Sequence, residues 1–102
     1  MTRRDLTPGT QAVQSAHAAI DFQHQFPQIS QNWNKLSNYL ILLSVDNEDS
    51  LKHQIQKIIK SDLSHVVFKE PDMNNQITAV CIEPSEKSSK LFSHLPLALK
   101  EY

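Results

Sequence analysis

The spacing of apolar positions changes several times along the chain, and each change predicts an element. After the turn Thr7-Pro8-Gly9, the residues Val13, Ala16, His17, Ile20 and His24 recur at threes and fours. At 100° per residue they share one face of a helix over residues 10–24, with Ala12 and Ala19 at its flank, where small side chains permit close approach to a sheet. Pro8 has the fixed φ of a β-turn, Gly9 tolerates positive φ, and Thr10 is placed to cap the helix. Phe22, Phe26, Ile29, Trp33 and Leu36 continue the rhythm through a Gln/Asn-rich stretch. They predict a second, short helix after Pro27, docked on the core by Trp33.

Tyr39-Leu40-Ile41-Leu42-Leu43-Ser44-Val45 is an apolar run too short for an ordinary helix, which suits a strand covered on both faces. Asp46 or Asn47 then caps a helix in which Leu51, Ile55, Ile58 and Ile59 form a stripe, while Lys52, His53, Gln56, Lys57 and Lys60 face solvent. Val66-Val67-Phe68 and Ile77–Ile82 predict two further strands, joined as an antiparallel pair through the short polar loop from Lys69 to Gln76. Leu91, Phe92 and Leu95 close a short helix before Pro96. Strand, helix and strand in this order imply a right-handed βαβ crossover, so the expected class is α/β, with a small mixed sheet of three to four strands flanked by helices. The strand expected ahead of the first helix has only Met1 to Arg4 and must be a stub.

Composition narrows the partners. With 102 residues and 39% hydrophobic content, the chain can build one core, and a single domain over residues 1–102 is expected. No apolar run approaches the ~18 residues of a membrane helix, and no secretory-type stretch opens the chain, so no membrane contact and a cytoplasmic location are expected. Cys81 is the one cysteine, which excludes an internal disulfide and suggests a buried thiol. His24, His53, His65 and His94 have no metal-binding spacing with one another or with Cys81, so no zinc site is expected. A net charge of −1 gives no strong basic field; contact with nucleic acid would have to use local clusters such as Arg3 and Arg4 or the helix lysines.

Candidate chemistry concentrates near the start. Arg4-Asp5-Leu6, the chain's one glycine at Gly9, and Gln14-Ser15-Ala16-His17-Ala18-Ala19 set a polar turn against an Ala-rich helix with one histidine, so that turn and imidazole could share a small pocket. A histidine on such a face is more often a half-buried, hydrogen-bonded core residue. Asp5 has the structural reading of capping the turn or pairing with Arg4.

This block resembles the Asp-Leu, Gly-Lys, Ala-Gln and Ala-His-Ala signature of the type 2 peptidyl-tRNA hydrolase family, small α/β enzymes of archaea and eukaryotes with relatives in some bacteria and phages. Trp33, the stretch from Leu40 to Val45, the helix near Glu48, the Thr78-Ala79-Val80-Cys81-Ile82-Glu83-Pro84 strand and His94-Leu95-Pro96-Leu97 fall in the family's order, so the likeness runs from residue 3 to 99 and looks like that of a divergent, bacterial-type member. Thr10 stands where the family has a lysine implicated in catalysis. Glu70-Pro71-Asp72-Met73-Asn74 replaces its Asp-Ala-Gly-Arg-Thr loop, and Thr78 keeps its threonine.

The resemblance implies cleavage of the ester between peptide and tRNA by a positioned water, without metal or cofactor. It implies His17, Glu70 and Thr78 as catalytic residues, with His17 as base or water-orienting group and Glu70 orienting it or holding the ribose. Arg3, Arg4, Thr10, Gln14 and Asp72 are implied as substrate-binding, the helix start at Thr10 offering free N–H groups. The partner would be tRNA. A homodimer is expected because the family often dimerises and an exposed strand stub invites pairing. Two alternatives stay open: a noncatalytic member acting as an RNA-binding or protein-interaction module, and a hydrolase of a different ester or amide.

Overall fold

The computed structural model describes residues 1–100. Its elements run β1 (Thr2–Arg3), α1 (Pro8–Gln25), α2 (Pro27–Leu36), β2 (Ser44–Val45), α3 (Glu48–Lys60), β3 (His65–Glu70), β4 (Gln76–Ile82) and α4 (Glu86–Phe92), with a 3₁₀ turn at Pro71–Met73 between β3 and β4. The sheet is mixed, in the order β2-β1-β4-β3. β1 pairs parallel with β2 and antiparallel with β4, and β3 pairs antiparallel with β4. The α/β class with a small mixed sheet is as expected.

Two parallel crossovers shape the layers. One runs from β1 through α1 and α2 to its neighbour β2; the other runs from β2 through α3 to β3 at the far edge. They travel across the sheet in opposite directions, and a common hand then requires their helices on opposite faces. α1 accordingly lies over β3 and β4 on one side, while α3 covers the other. The apolar core sits on the α3 side, where Met1, Val45, Leu51, Ile55, Ile58, Leu63, Val80 and Phe92 are buried together.

The helix stripe on α3 is where the spacing put it: Leu51, Ile55 and Ile58 are buried, whereas Ile59 is exposed. Asn47 is the N-cap, its side chain accepting from Ser50 N at 2.9 Å. The last helix is also present, closed at its start by a reciprocal Ser85–Ser88 capping box.

Five expectations change. The apolar run from Tyr39 forms strand only at Ser44–Val45, and Tyr39, Leu40 and Ile41 are exposed. β1 contributes two residues to the pairing, so the rest of the run has no strand to pair with. Its far end is met instead by Pro96 and Ala98, which exchange backbone hydrogen bonds with Ser44 and Leu42. The stub β1 is also internal, flanked by β2 and β4, and therefore presents no edge for pairing with another copy.

α1 is turned nearly opposite to its predicted orientation. Its inward residues are Gln11, Gln14, Ala18 and Phe22, while Val13 and Ile20 are exposed. The polar members are held by tertiary hydrogen bonds, which no hydrophobic period marks; Gln11 Nε2, for example, donates to Leu6 O at 2.7 Å. Gly9 lies within the helix and has no positive φ, and the cap is Thr7, with Pro8 in the first turn. Finally, α2 buries no residue and packs along α1; Trp33 is half-buried and donates its indole N–H to Tyr39 O at 2.7 Å, clamping the following loop rather than the core.

Candidate active site

The site is built where α1 crosses the β3–β4 hairpin. Phe68 pairs with Ala79 and Lys69 with Ile77, so Thr78 is left without a partner on β3. This irregularity has the character of a β-bulge, which re-aims side chains by breaking the alternation of a strand. Along β4, Val80 and Ile82 join the α3-side core; strict alternation would point Thr78 the same way and Ile77 the other. The bulge exchanges them. Ile77 packs into the core, and the Thr78 hydroxyl donates to Gln14 Oε1 on α1 at 2.6 Å.

Gln14 passes the constraint on. Its Nε2 donates to Glu70 Oε1 at 3.4 Å, so one buried amide joins a fully buried hydroxyl to a half-buried carboxylate. The Thr78 carbonyl accepts from Thr2 Oγ1 at 2.9 Å, which ties the chain back to β1. One turn beyond Gln14, the His17 ring lies flat on Phe68, with centroids 4.6 Å apart and planes 3° from parallel. Two rungs therefore connect α1 to β3: Gln14 to Glu70, and His17 to Phe68. His17 is exposed despite the stack, leaving its edge and outer face open to solvent.

This arrangement redistributes the expected roles. His17, Glu70, Thr78 and Gln14 are brought together, but Thr78 and Gln14 are buried and act on Glu70 from beneath. Glu70 is bonded to Gln14 and not to His17. Thr10 is half-buried; its N–H donates to Thr7 Oγ1 at 3.3 Å and its hydroxyl accepts from the same group at 2.8 Å, so the helix start is largely capped from within. Thr10 is seven residues before His17, about 10 Å along a helix at 1.5 Å per residue. The turn and the imidazole therefore do not share one small pocket. Asp72 is exposed in the 3₁₀ turn after Glu70, beside the site but outside its hydrogen-bond network.

The arginines also have structural partners. Arg3 is 6% exposed, and its guanidinium grips both oxygens of Asp5 at 2.9 and 3.0 Å while Nη1 donates to Gln76 Oε1 and Ile77 O. Asp5 pairs with Arg3 and not with Arg4; the hydrogen bond from Arg3 holds its carboxyl below the usual carboxylate range, and Asp5 in turn raises the Arg3 pKa. With its donors so engaged, Arg3 is not available as a phosphate contact. Arg4 is on the surface and bonds Ser44 Oγ at 3.1 Å and the Asp46 carboxylate.

Phe68 is the site residue that the sequence pattern missed. As part of Val66-Val67-Phe68 it reads as a core strand residue, and the available signal was its place two residues before Glu70, on the same strand face. Among the described residues no three His, Cys, Asp or Glu side chains form a metal-holding group, and no helix is long and apolar enough to cross a membrane.

The family described as Peptidyl-tRNA hydrolase PTH2 matches residues 2–98, nearly the whole chain and every element that builds the site. The chain belongs to this family. No curated protein sequence matches it significantly. In this chain the Gln14–Thr78 bond anchors the glutamine that in turn bonds Glu70.

Proposed function

We propose that this chain hydrolyses the ester of peptidyl-tRNA, releasing peptide and free tRNA, as a divergent, bacterial-type, cytoplasmic and single-domain member of its family. The observation that carries the reading is the family match across residues 2–98, which includes the exposed His17 and the supported Glu70. In this reading a neutral His17 accepts a proton from the attacking water through a ring nitrogen at its open edge. Glu70, steadied by Gln14, offers its second oxygen to a ribose hydroxyl or to the same water. Gln14 and Thr78 hold that carboxylate in place and do not touch substrate.

Incubation with N-blocked aminoacyl-tRNA tests this. The wild-type chain should release tRNA, and His17→Ala should slow release by roughly 10²-fold or more, the scale of a lost general base. No cleavage at high enzyme concentration, or full activity in His17→Ala, removes the mechanism.

A noncatalytic RNA-binding or protein-interaction module is the second reading, and Thr10 favours it: the turn has no cation at that position, and its hydroxyl is tied to Thr7. Salt-sensitive binding of tRNA without cleavage would select this reading. Homodimerisation, tested by light scattering at several concentrations, would use a surface other than the internal β1, and β3 is the open edge of the sheet.

A further inference from the structure

His17 is oriented by a ring and not by a carboxylate. Its imidazole lies parallel to the Phe68 phenyl, and among the described residues neither ring nitrogen has a hydrogen-bond partner. Glu70, the nearest acidic residue on the same strand face, directs its hydrogen bond to Gln14. A histidine that takes a proton commonly has its ring fixed by a hydrogen bond at the second nitrogen. In this chain the plane of the ring is held by stacking, and no hydrogen bond fixes either nitrogen.

We propose that Phe68 is the positioning residue for His17, a role that rests on His17 accepting the proton in the reaction above. Both partners stand on rigid supports. Phe68 is held in register against Ala79 on β4, and α1 is pinned one turn before His17 by the Gln14 bonds to Thr78 and Glu70. Rotation of the imidazole out of the stacked plane is therefore opposed by a neighbour that cannot follow it. The nitrogen lone pair lies in the ring plane, so holding that plane sets the direction in which a water can give up its proton, while the stacked face is covered by Phe68. The role needs a flat ring: an aliphatic side chain of similar size fills the same space without selecting one imidazole plane.

The test compares wild type, Phe68→Leu, Phe68→Tyr and His17→Ala in hydrolysis of N-blocked aminoacyl-tRNA, with the His17 ring C–H resonances followed by NMR. Phe68→Leu should lower kcat about tenfold, a fraction of the roughly 10²–10⁴-fold that a general base supplies, with KM changed by less than about twofold. Phe68→Tyr should retain near wild-type kcat. The His17 resonances should be shifted upfield by the neighbouring ring in wild type and Phe68→Tyr, and that shift should be lost in Phe68→Leu. Should Phe68→Leu fail to fold, Phe68→Met, which is unbranched and flexible, takes its place with the same expected losses.

The inference is overturned if Phe68→Leu keeps wild-type kcat, if Phe68→Tyr loses as much as Phe68→Leu, or if the upfield shift is absent from wild type. Cleavage that depends on His17 but not on Phe68 removes this inference alone. A wild-type chain that never cleaves removes the hydrolase reading as well, and the two failures are thereby told apart.

Discussion

Thr78 has a hydroxyl that never meets solvent, yet it determines what solvent meets nearby. Its bond to Gln14 Oε1 completes that amide, whose other end holds Glu70. Thr78→Val keeps the shape and removes the donor, leaving a buried acceptor without a partner at a cost of about 1–3 kcal/mol. Urea unfolding should show that loss. Tenfold slower tRNA release at unchanged KM would be of the order expected if the loosened Glu70 matters in the transition state, about 1.4 kcal/mol. A variant as stable as wild type would show that the hydroxyl contributes nothing to the network. Gln14 itself was legible only through its place in the family signature. A glutamine on a helix has no pattern that says inward, since its burial here depends on partners 56 and 64 residues away.

At the scale of elements, the two-residue strand β1 has a consequence for β4. Because β1 stops at Arg3, the Gln76–Ile77 end of β4 has β3 on one side and no strand on the other, where side chains supply the missing bonds. Arg3 Nη1 donates to Ile77 O at 3.1 Å, and Glu48 Oε2 at the start of α3 accepts from Ile77 N at 2.8 Å. Arg3→Ala should destabilise the fold by about 2–4 kcal/mol through lost charge-assisted bonds and an orphaned carbonyl. Arg3→Lys should recover less than half of that, because one ammonium cannot span Asp5, Gln76 and Ile77 as the guanidinium fork does. Thermal unfolding of the two variants checks both statements, and full rescue by lysine would refute the second. The stub was readable from the sequence. That its edge needed an arginine and a glutamate was not, because the need arises from the mismatch between a short strand and a long one.

For the molecule as a whole, Met1 is packed into the core, and in a polypeptide that starts there with a free amine this gives stability a pH dependence. The Met1 amine donates to Val80 O at 3.0 Å, and burial lowers its pKa from 8.0 to about 6. The nearest other titratable group facing it is Cys81, whose thiol pKa is raised by burial. In a polypeptide beginning at Met1 with a free amine, the unfolded chain gains a proton as pH falls below 8 while the folded chain excludes it until about pH 6. Stability contributed by this group is therefore full above pH 8 and falls through the window down to pH 6, by up to about 2–3 kcal/mol, before levelling. Denaturant titrations across the window should show that slope, and acetylating the amine should remove its share; an unchanged slope after acetylation would show that the amine is not its source. Periodicity and composition alone determined which helices exist, which face of α3 is apolar and the hairpin of β3 and β4, while the resemblance of the block around His17 pointed to the family. The tertiary structure decided which face of α1 turns inward, how far β2 extends, which side of β4 Thr78 occupies and what steadies His17. Each of these depends on a partner distant in the chain: a hydrogen bond that makes a polar face suitable for burial, a strand that ends early, or a bulge that reverses an alternation. Local spacing reports the preference of a segment for water or for apolar surroundings, and it is silent where a specific bond across the fold overrides that preference.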